Sequence, residues 1–207
     1  MEQRDNCGER TIAHIEERAE GAAVITGYAA TFYDGTPNTE FRLWDGAVER
    51  IMPGAFDNAL ARPDDVRALF NHSANHVLGR VAAGTMRLAV DATGLRYEID
   101  MPDTTVGHDT MASVKRRDIT GSSFKFTVDD EEWRREGAGE IRELRDVQLF
   151  DIGPVTYPAY ESTSAAARSG DMSDAKFSHV AWQRDNEAQI ARRNRARVVE
   201  ISAHSGI

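Results

Sequence analysis

The chain has 207 residues, of which 41% are hydrophobic and 29% are charged, and its formal net charge is −9 at pH 7. This length suits one domain with a sizeable core and a tail, and the acidic balance argues against wholesale binding of nucleic acid. Cys7 is the only cysteine, so the chain can form neither an internal disulfide nor a metal site built from several cysteines.

After a charged start, the sequence predicts mostly strands. Residues 1–10 lack the apolar core of a signal peptide, and no run in the chain is long enough to cross a bilayer, so we expect a soluble protein with a frayed N-terminus. Period-two alternation and a high content of β-branched and aromatic residues predict strands in the rest of the chain. These strands are expected at residues 22–33, 41–51, 66–71, 77–81, 86–90, 95–101, 123–128, 141–144 and 147–155.

Helices, turns and loops are expected between these strands. Pro53 opens a short helix, and residues 106–117 form a longer helix with a partial apolar stripe and a cationic last turn. Gly94 is placed for the turn of a β-hairpin. Residues 129–139 are rich in acidic side chains, so we expect a long acidic loop there that contains Trp133.

The composition changes after Glu161. Residues 162–170 are small and polar, which is typical of a flexible linker, and residues 179–201 are compatible with a helix. A cluster of arginines near the end of that segment is either a solvated face or a docking or packaging tail. We therefore divide the chain into an N-terminal segment (1–20), a main domain (21–161) and a linker with a flexible or helical tail (162–207).

Three predicted strands carry the residue types of a nucleophilic relay. Residues 120–126 read Thr-Gly-Ser-Ser-Phe-Lys-Phe, and Gly121 permits a close backbone approach beside Ser123. His72 follows another strand at its end, and Asp151 lies within an apolar strand where an ionised group needs a partner. A serine, a histidine and a carboxylate are the parts of a nucleophile, a base and an orienting acid. We therefore predict that Ser123, His72 and Asp151 act together.

Other residues compete for these roles. Ser122 and Ser123 are adjacent, so on a strand they point to opposite faces, and only one of them can face His72. Asp146 is a second candidate for the orienting carboxylate. Asp151 could instead have a structural partner, such as a backbone amide or Arg80.

A metal site is a weaker alternative. His72 and His76 have the spacing at which two histidines on one helix bind zinc, but the surrounding sequence does not predict a helix. No glutamate follows His72 in the manner of a zinc protease, and Ser123 lacks the Gly-x-Ser-x-Gly pattern of the α/β-hydrolases. We expect neither a metal nor another cofactor.

A set of short motifs runs through the chain. They are Gly27-Tyr28-Ala29 with Phe32, residues 49–56 (Glu-Arg-Ile-Met-Pro-Gly-Ala-Phe), Phe70-Asn71-His72, Leu78-Gly79-Arg80, Thr93-Gly94-Leu95, residues 121–126 (Gly-Ser-Ser-Phe-Lys-Phe) and residues 149–159. In this order, the combined pattern resembles the tailed-phage prohead serine protease family, and the resemblance covers roughly residues 22–164.

The resemblance implies a fold, a function and three site residues. The fold is α+β and mainly β, a closed or partly open antiparallel β-barrel with flanking helices, similar to the herpesvirus maturation proteases. His72 matches the family histidine, Ser123 the serine before Phe-x-Phe, and Asp151 the position of an acid that is more often Glu. The implied function is a serine endopeptidase that cleaves the major capsid protein, scaffold segments and its own chain inside the immature shell, in the host cytoplasm. Self-association is a further expectation, and no nucleic acid or membrane partner is implied.

Two positions depart from the family's pattern. Lys125 stands where Gly is common, and Gly153-Pro154 replaces a more usual Ser-Leu. These departures keep a second hypothesis open, in which the chain is a catalytically inactive scaffold or binding module inside the capsid.

Overall fold

A computed structural model of the chain describes residues 13–17, 23–61, 65–157, 179–180 and 182–184. The chain divides into two compact units, Met1–Ala167 and Arg168–Ile207. In the second unit, residues 179–180 and 182–184 are helical, and the ring of His179 stacks on Trp182 with 5.8 Å between ring centroids. The predicted frayed start, the predicted linker and the arginine cluster within residues 192–197 lie outside the described residues.

The first unit is mainly β, as the sequence predicts. Among the described residues, none of the helices has the length and apolarity that a bilayer crossing requires. The strands are β1 His14–Glu17, β2 Ala23–Thr31, β3 Glu40–Trp44, β4 Ala47–Ile51, β5 Arg67–Leu69, β6 Val77–Arg80, β7 Met86–Val90, β8 Gly94–Asp100, β9 Gly121–Glu136 and β10 Gly139–Val155. The helices are α1 Asp57–Ala61 and α2 Thr105–Lys115, and 3₁₀ turns lie at Pro37–Thr39 and Phe70–His72.

One sheet has four antiparallel strands in the order β1-β2-β8-β7. The β7–β8 hairpin forms where the sequence predicts it, but Gly94 is needed for a different reason. It begins β8, and a Cβ atom there would lie 2.1 Å from the carbonyl oxygen of Ala30 on β2. The turn itself is held by Asp91, whose Oδ1 accepts a hydrogen bond from the Thr93 amide at 2.7 Å. Gly94 therefore permits strand packing, and Asp91 closes the turn.

The second sheet has six strands and is organised around β10. On one side β10 pairs antiparallel with β9 along almost its whole length. On the other side it runs parallel to β4 in its first half and to β5 in its second half, with β3 and β6 outside them. The expectation of a purely antiparallel sheet is therefore wrong at β10, because this 17-residue strand is long enough to accept two hairpins end to end. Neither sheet closes on itself among the described residues.

Both sheets contribute to one hydrophobic core. Ile25, Tyr97 and Ile99 come from the four-stranded sheet, and Leu144 and Ile152 come from β10; all five are fully buried. A chain of aromatic rings continues through this core, in which neighbouring ring centroids are 5.8 Å apart. The rings belong to Phe32, Phe56 and Phe124.

Residues 41–51 form a hairpin instead of the single predicted strand. Asp45 and Gly46 make the turn between β3 and β4, and Gly46 has a φ of +83°, which side-chain-bearing residues rarely adopt. An Asp-Gly pair between β-forming runs is a common hairpin signal. The sequence therefore contains the signal for this turn.

Residues 129–139 are the larger correction, because β9 continues to Glu136 and no long loop forms. Arginines from the neighbouring strand β10 neutralise two of the acids that suggested a loop, Glu131 and Glu132. Arg142 on β10 donates from Nε to Glu131 at 2.6 Å and from Nη1 to the buried Glu49 on β4 at 2.9 Å. Trp133 is only 6% exposed and stacks on Trp44. Cross-strand ion pairs make this acidic run compatible with a sheet.

Candidate active site

The turn that carries His72 begins where β5 ends. Asn71 and His72 both have positive φ, 53° and 56°, in the left-handed region that is costly for residues with a side chain. The side chain of Asn71 compensates by two hydrogen bonds to Thr156, which lies directly after β10. Asn71 Nδ2 donates to the Thr156 hydroxyl at 3.1 Å, and the Thr156 amide donates to Asn71 Oδ1 at 2.8 Å. These two bonds fix the turn against the end of β10.

His72 and Asp151 form a side-chain pair. Nδ1 of His72 is hydrogen-bonded to Oδ1 of Asp151, and the Asp151 residue is only 6% exposed. An ionised carboxylate can only accept, so this contact places a proton on Nδ1 and leaves Nε2 of a neutral ring as the proton acceptor. The structure thus brings two of the three predicted residues together, in the arrangement that an orienting acid and a base require.

Ser122 and Ser123 lie on opposite faces of β9. The hydroxyl of Ser122 is 2.6 Å from that of Tyr97, which is fully buried in the core. Burial raises the pKa of Tyr97, and the hydrogen bond to Ser122 offsets this only in part, so the phenol stays protonated. Ser122 therefore belongs to the core.

Ser123 lies on the opposite face, which it shares with Asp151. It is paired with Gly153 on β10, and the next pair on the same face is Lys125 with Asp151. Directly opposite residues of an antiparallel pair point to the same side, as do residues two apart on one strand. Within the described residues no hydrogen bond joins Ser123 to His72. The register nevertheless puts the serine one residue pair from the carboxylate that holds the histidine.

Gly153 explains one of the two departures from the family's pattern. A Cβ atom at this position would lie 2.2 Å from the carbonyl oxygen of Leu69, the last residue of β5. Any larger residue would push β5 away from β10, and with it the turn that carries His72. Gly153 is therefore the residue that lets the histidine turn approach the strand opposite Ser123.

The competing candidates have other partners. Asn58 Nδ2 donates to Asp146 Oδ2 at 2.6 Å, and the ring of His76 lies 6.2 Å from that of Phe70. A further histidine, His108, lies exposed within α2 with its Nε2 3.0 Å from Asp103 Oδ1. Among the described residues, no group of three or more His, Cys, Asp or Glu side chains is placed to hold a metal ion.

The sequence interpretation did not identify Asn71 or Thr156 as part of the site. Asn tolerates the left-handed region better than most residues, so an Asn directly before a candidate base is a detectable signal of a turn. Nothing in the sequence indicates that Thr156 is its partner, because the two residues meet only when β5 lies beside β10.

Comparison with known proteins identifies the family to which the chain belongs. The family model described as caudovirus prohead serine protease matches residues 10–178, so the chain belongs to this family. It is also similar to the prohead protease of Enterobacteria phage HK97, with 31% identity over 170 residues, which cover 79% of this chain and 68% of that protein. No solved structure matches the chain.

Proposed function

We propose that the chain is a serine endopeptidase of prohead maturation, which cleaves the major capsid protein, scaffold segments and its own chain inside the immature shell in the host cytoplasm. The observation that carries this proposal is the pair of His72 and Asp151 on the face of the sheet that Ser123 shares. Membership of the prohead serine protease family supports the same chemistry. Self-association remains part of the proposal.

In the proposed mechanism, Ser123 attacks the scissile carbonyl while Nε2 of His72 takes the hydroxyl proton. His72 then gives this proton to the leaving amine, and a water molecule activated by His72 hydrolyses the acyl-enzyme. Asp151 holds the ring with Nε2 toward the serine and stabilises the imidazolium cation. The low exposure of Asp151 strengthens this interaction, because few waters compete for the carboxylate.

The finer features of the fold are part of the proposal too. The two sheets share one core, with α1 between β4 and β5 and α2 between β8 and β9 in the chain order, and the proposed fold is a partly open barrel similar to the herpesvirus maturation proteases. Residues 21–161 would form the protease domain, preceded by residues 1–20 and followed by a linker and tail over residues 162–207.

An inactive capsid-interior module is the second candidate, because Lys125 and Gly153-Pro154 depart from the family's pattern. The close approach of Leu69 to Gly153 supports the protease, since it gives that glycine a role in placing the histidine turn. A binding module needs no nucleophile, so the two candidates differ in whether the chain cleaves the capsid protein.

The test is co-expression of the full chain with its cognate major capsid protein. We expect capsid cleavage with the natural chain, none with Ser123→Ala, and full cleavage with Thr127→Ala, an exposed residue on the same face of β9. Equal melting temperatures would show that all three proteins are folded. A folded natural chain that leaves the capsid protein intact would favour the inactive module.

A further inference from the structure

A row of cationic side chains crosses the sheet at the level of Asp151. The strand register aligns Lys125 on β9 with Asp151 on β10, Asp151 with Arg67 on β5, and Arg67 with Arg80 on β6. Paired residues of neighbouring strands point to the same face, so all four lie on the face that carries Ser123. We call Lys125, Arg67 and Arg80 the cationic row.

The cationic row is exposed and only partly neutralised. Arg67 and Arg80 are about half exposed, with side-chain exposures of 50% and 48%. Both contact the single carboxylate of Asp65, at 3.1 Å from Arg67 Nη2 and 2.6 Å from Arg80 Nε. The hydrogen bond from Arg80 lowers the pKa of Asp65, so this carboxylate stays ionised. Two arginines therefore share one negative charge.

Lys125 adds a further positive charge on the other side of the His72–Asp151 pair. It is exposed, and no ion pair engages it among the described residues. The three cations face two carboxylates on this side of the sheet, Asp65 and the buried Asp151, which leaves about one net positive charge here in a chain whose net charge is −9. Such a local reversal of sign raises the concentration of anionic groups beside the site.

We propose that the cationic row is a specificity element that recognises acidic side chains of the polypeptide substrate close to the scissile bond. This inference rests on the proposed function and names its substrate class. Lys125 and Arg67 each lie one strand away from Asp151, on opposite sides of it, and Arg80 lies two strands away. Neighbouring strands are about 4.8 Å apart. A substrate bound over Ser123 and His72 brings its flanking residues within reach of these flexible cations. Acidic residues there gain charge-assisted contacts that neutral residues lack.

Lys125 could act in another way, by stabilising the Asp151 carboxylate opposite it. The two roles predict different kinetics. A stabiliser of Asp151 affects kcat equally for every substrate, whereas a specificity residue affects kcat/KM only for acidic substrates. Arg80 gives a second way to distinguish the two roles. It is too far from Asp151 to support the charge of that carboxylate directly, so an effect of Arg80 on acidic substrates alone indicates recognition of the substrate.

The closing experiment uses the full chain and two probes. The first is binding of a fluorescent peptide of alternating Glu and Ala to folded Ser123→Ala protein, beside its Gln-Ala twin. The second is mass-spectrometric profiling of bonds cleaved by the natural chain in a pool of unstructured synthetic peptides. Both are repeated with Lys125→Gln, Arg67→Gln and Arg80→Gln, and with Arg135→Gln as a control at the far end of β9, where the arginine is exposed and pairs with Glu140.

We expect the Glu peptide to bind more tightly than its Gln twin, and each row variant to weaken its binding about two- to fivefold, as for exposed ion pairs. Cleaved bonds should be enriched in nearby Asp and Glu, and this enrichment should fall in the row variants but not in Arg135→Gln. Equal binding of the two peptides, or an enrichment that the row variants leave unchanged, would overturn the proposal. Acid-selective binding without any cleavage that depends on Ser123 would contradict the proposed function and leave the recognition surface supported.

Discussion

The hydroxyls of Ser122 and Tyr97 are hydrogen-bonded 2.6 Å apart in the core, while Ser123, the next residue, lies on the opposite face with Asp151. The single step from Ser122 to Ser123 thus separates a structural hydroxyl from a proposed nucleophile. This relationship gives the two serines different expected responses to the same substitution.

Ser123→Ala is expected to abolish processing, with a loss of up to about 10⁶ in rate if the three residues act as one unit. Ser122→Ala should keep most of the activity but lower the free energy of unfolding by about 1–3 kcal/mol, because it leaves the buried Tyr97 hydroxyl unpaired. Peptide turnover and denaturant unfolding of both variants test this pair. Activity that survives Ser123→Ala but not Ser122→Ala would reverse the assignment of the two faces.

Asp151→Asn is expected to lower turnover by up to about 10⁴, because an amide favours the wrong histidine tautomer. Asp146→Asn is the matched control, since Asp146 accepts a hydrogen bond from Asn58 and, within the described part of the chain, makes no hydrogen bond or ion pair with His72. The measurement is kcat on a short peptide, where encounter with the capsid cannot limit the rate. Equal kcat for Asp151→Asn and the natural chain would remove Asp151 from the relay.

Asn71 is expected to be a positioning residue that acts through His72. Asn71→Gly keeps the left-handed backbone but loses both bonds to Thr156, so kcat should fall up to about 10²-fold with KM little changed. The kcat of Asn71→Ala should be lower still. This variant should also be less stable, because an alanine costs about 1–2 kcal/mol in the left-handed backbone region.

Thr156→Val offers the complementary test, because it removes the hydroxyl acceptor and keeps the amide that donates to Asn71. Its kcat should lie between those of the natural chain and Asn71→Gly. A loss of stability in Asn71→Gly with unchanged kcat would mean that the contact supports the fold and does not position the histidine.

Protonation of Glu143 on β10, where β10 pairs with β9, is expected to lower the stability of the fold in acid. Burial raises the pKa of this carboxyl, but hydrogen bonds from Arg134 at 2.7 Å and from Arg145 at 3.2 Å outweigh burial and lower it overall. A lowered folded pKa means that the stabilisation is fully present above the unfolded value of about 4.3 and is lost as the pH falls through the folded value.

The corresponding measurement is denaturant unfolding at pH 7 and at pH values below about 4.3. Glu143→Gln should be less stable than the natural chain at pH 7, and the difference should shrink in acid. Glu132→Gln is the control, because Glu132 also pairs with Arg145 but is 47% exposed, where solvent screens the contact. A difference between Glu143→Gln and the natural chain that stays constant with pH would contradict the assignment.

Strands with alternating apolar residues could be predicted from sequence because burial on one face imposes a period of two. This holds for β7 and β8, whereas β2 is buried on both faces and is predicted by its content of β-forming residues. The extension of β9 could not be predicted in the same way, because its acids become compatible with a strand only through arginines such as Arg142 and Arg145, which lie later in the chain on β10. Cross-strand partners depend on register, which a local pattern does not contain.

The same distinction holds for the site. His72 and Asp151 could be predicted as partners because each residue type has a known role, and the structure places them in contact. The parallel pairing of β10 with β5 could not be predicted, and it is this pairing that brings Arg67 beside Asp151 and Asn71 beside Thr156. Sequence therefore indicated the chemical groups, and the tertiary register determined their neighbours.

The central place of β10 also sets when the site can first exist during synthesis. Asp151 and Thr156 lie 79 and 85 residues after their partners His72 and Asn71, so neither contact can form before the end of β10 has left the ribosome. Contacts between residues so distant in sequence form late and slowly in folding. A growing or truncated chain that lacks β10 would hold Ser123 and His72 without the strand that joins them. Under the proposed mechanism, a chain still being translated could not cleave the proteins around it, because Ser123 and His72 lack Asp151 until β10 is complete.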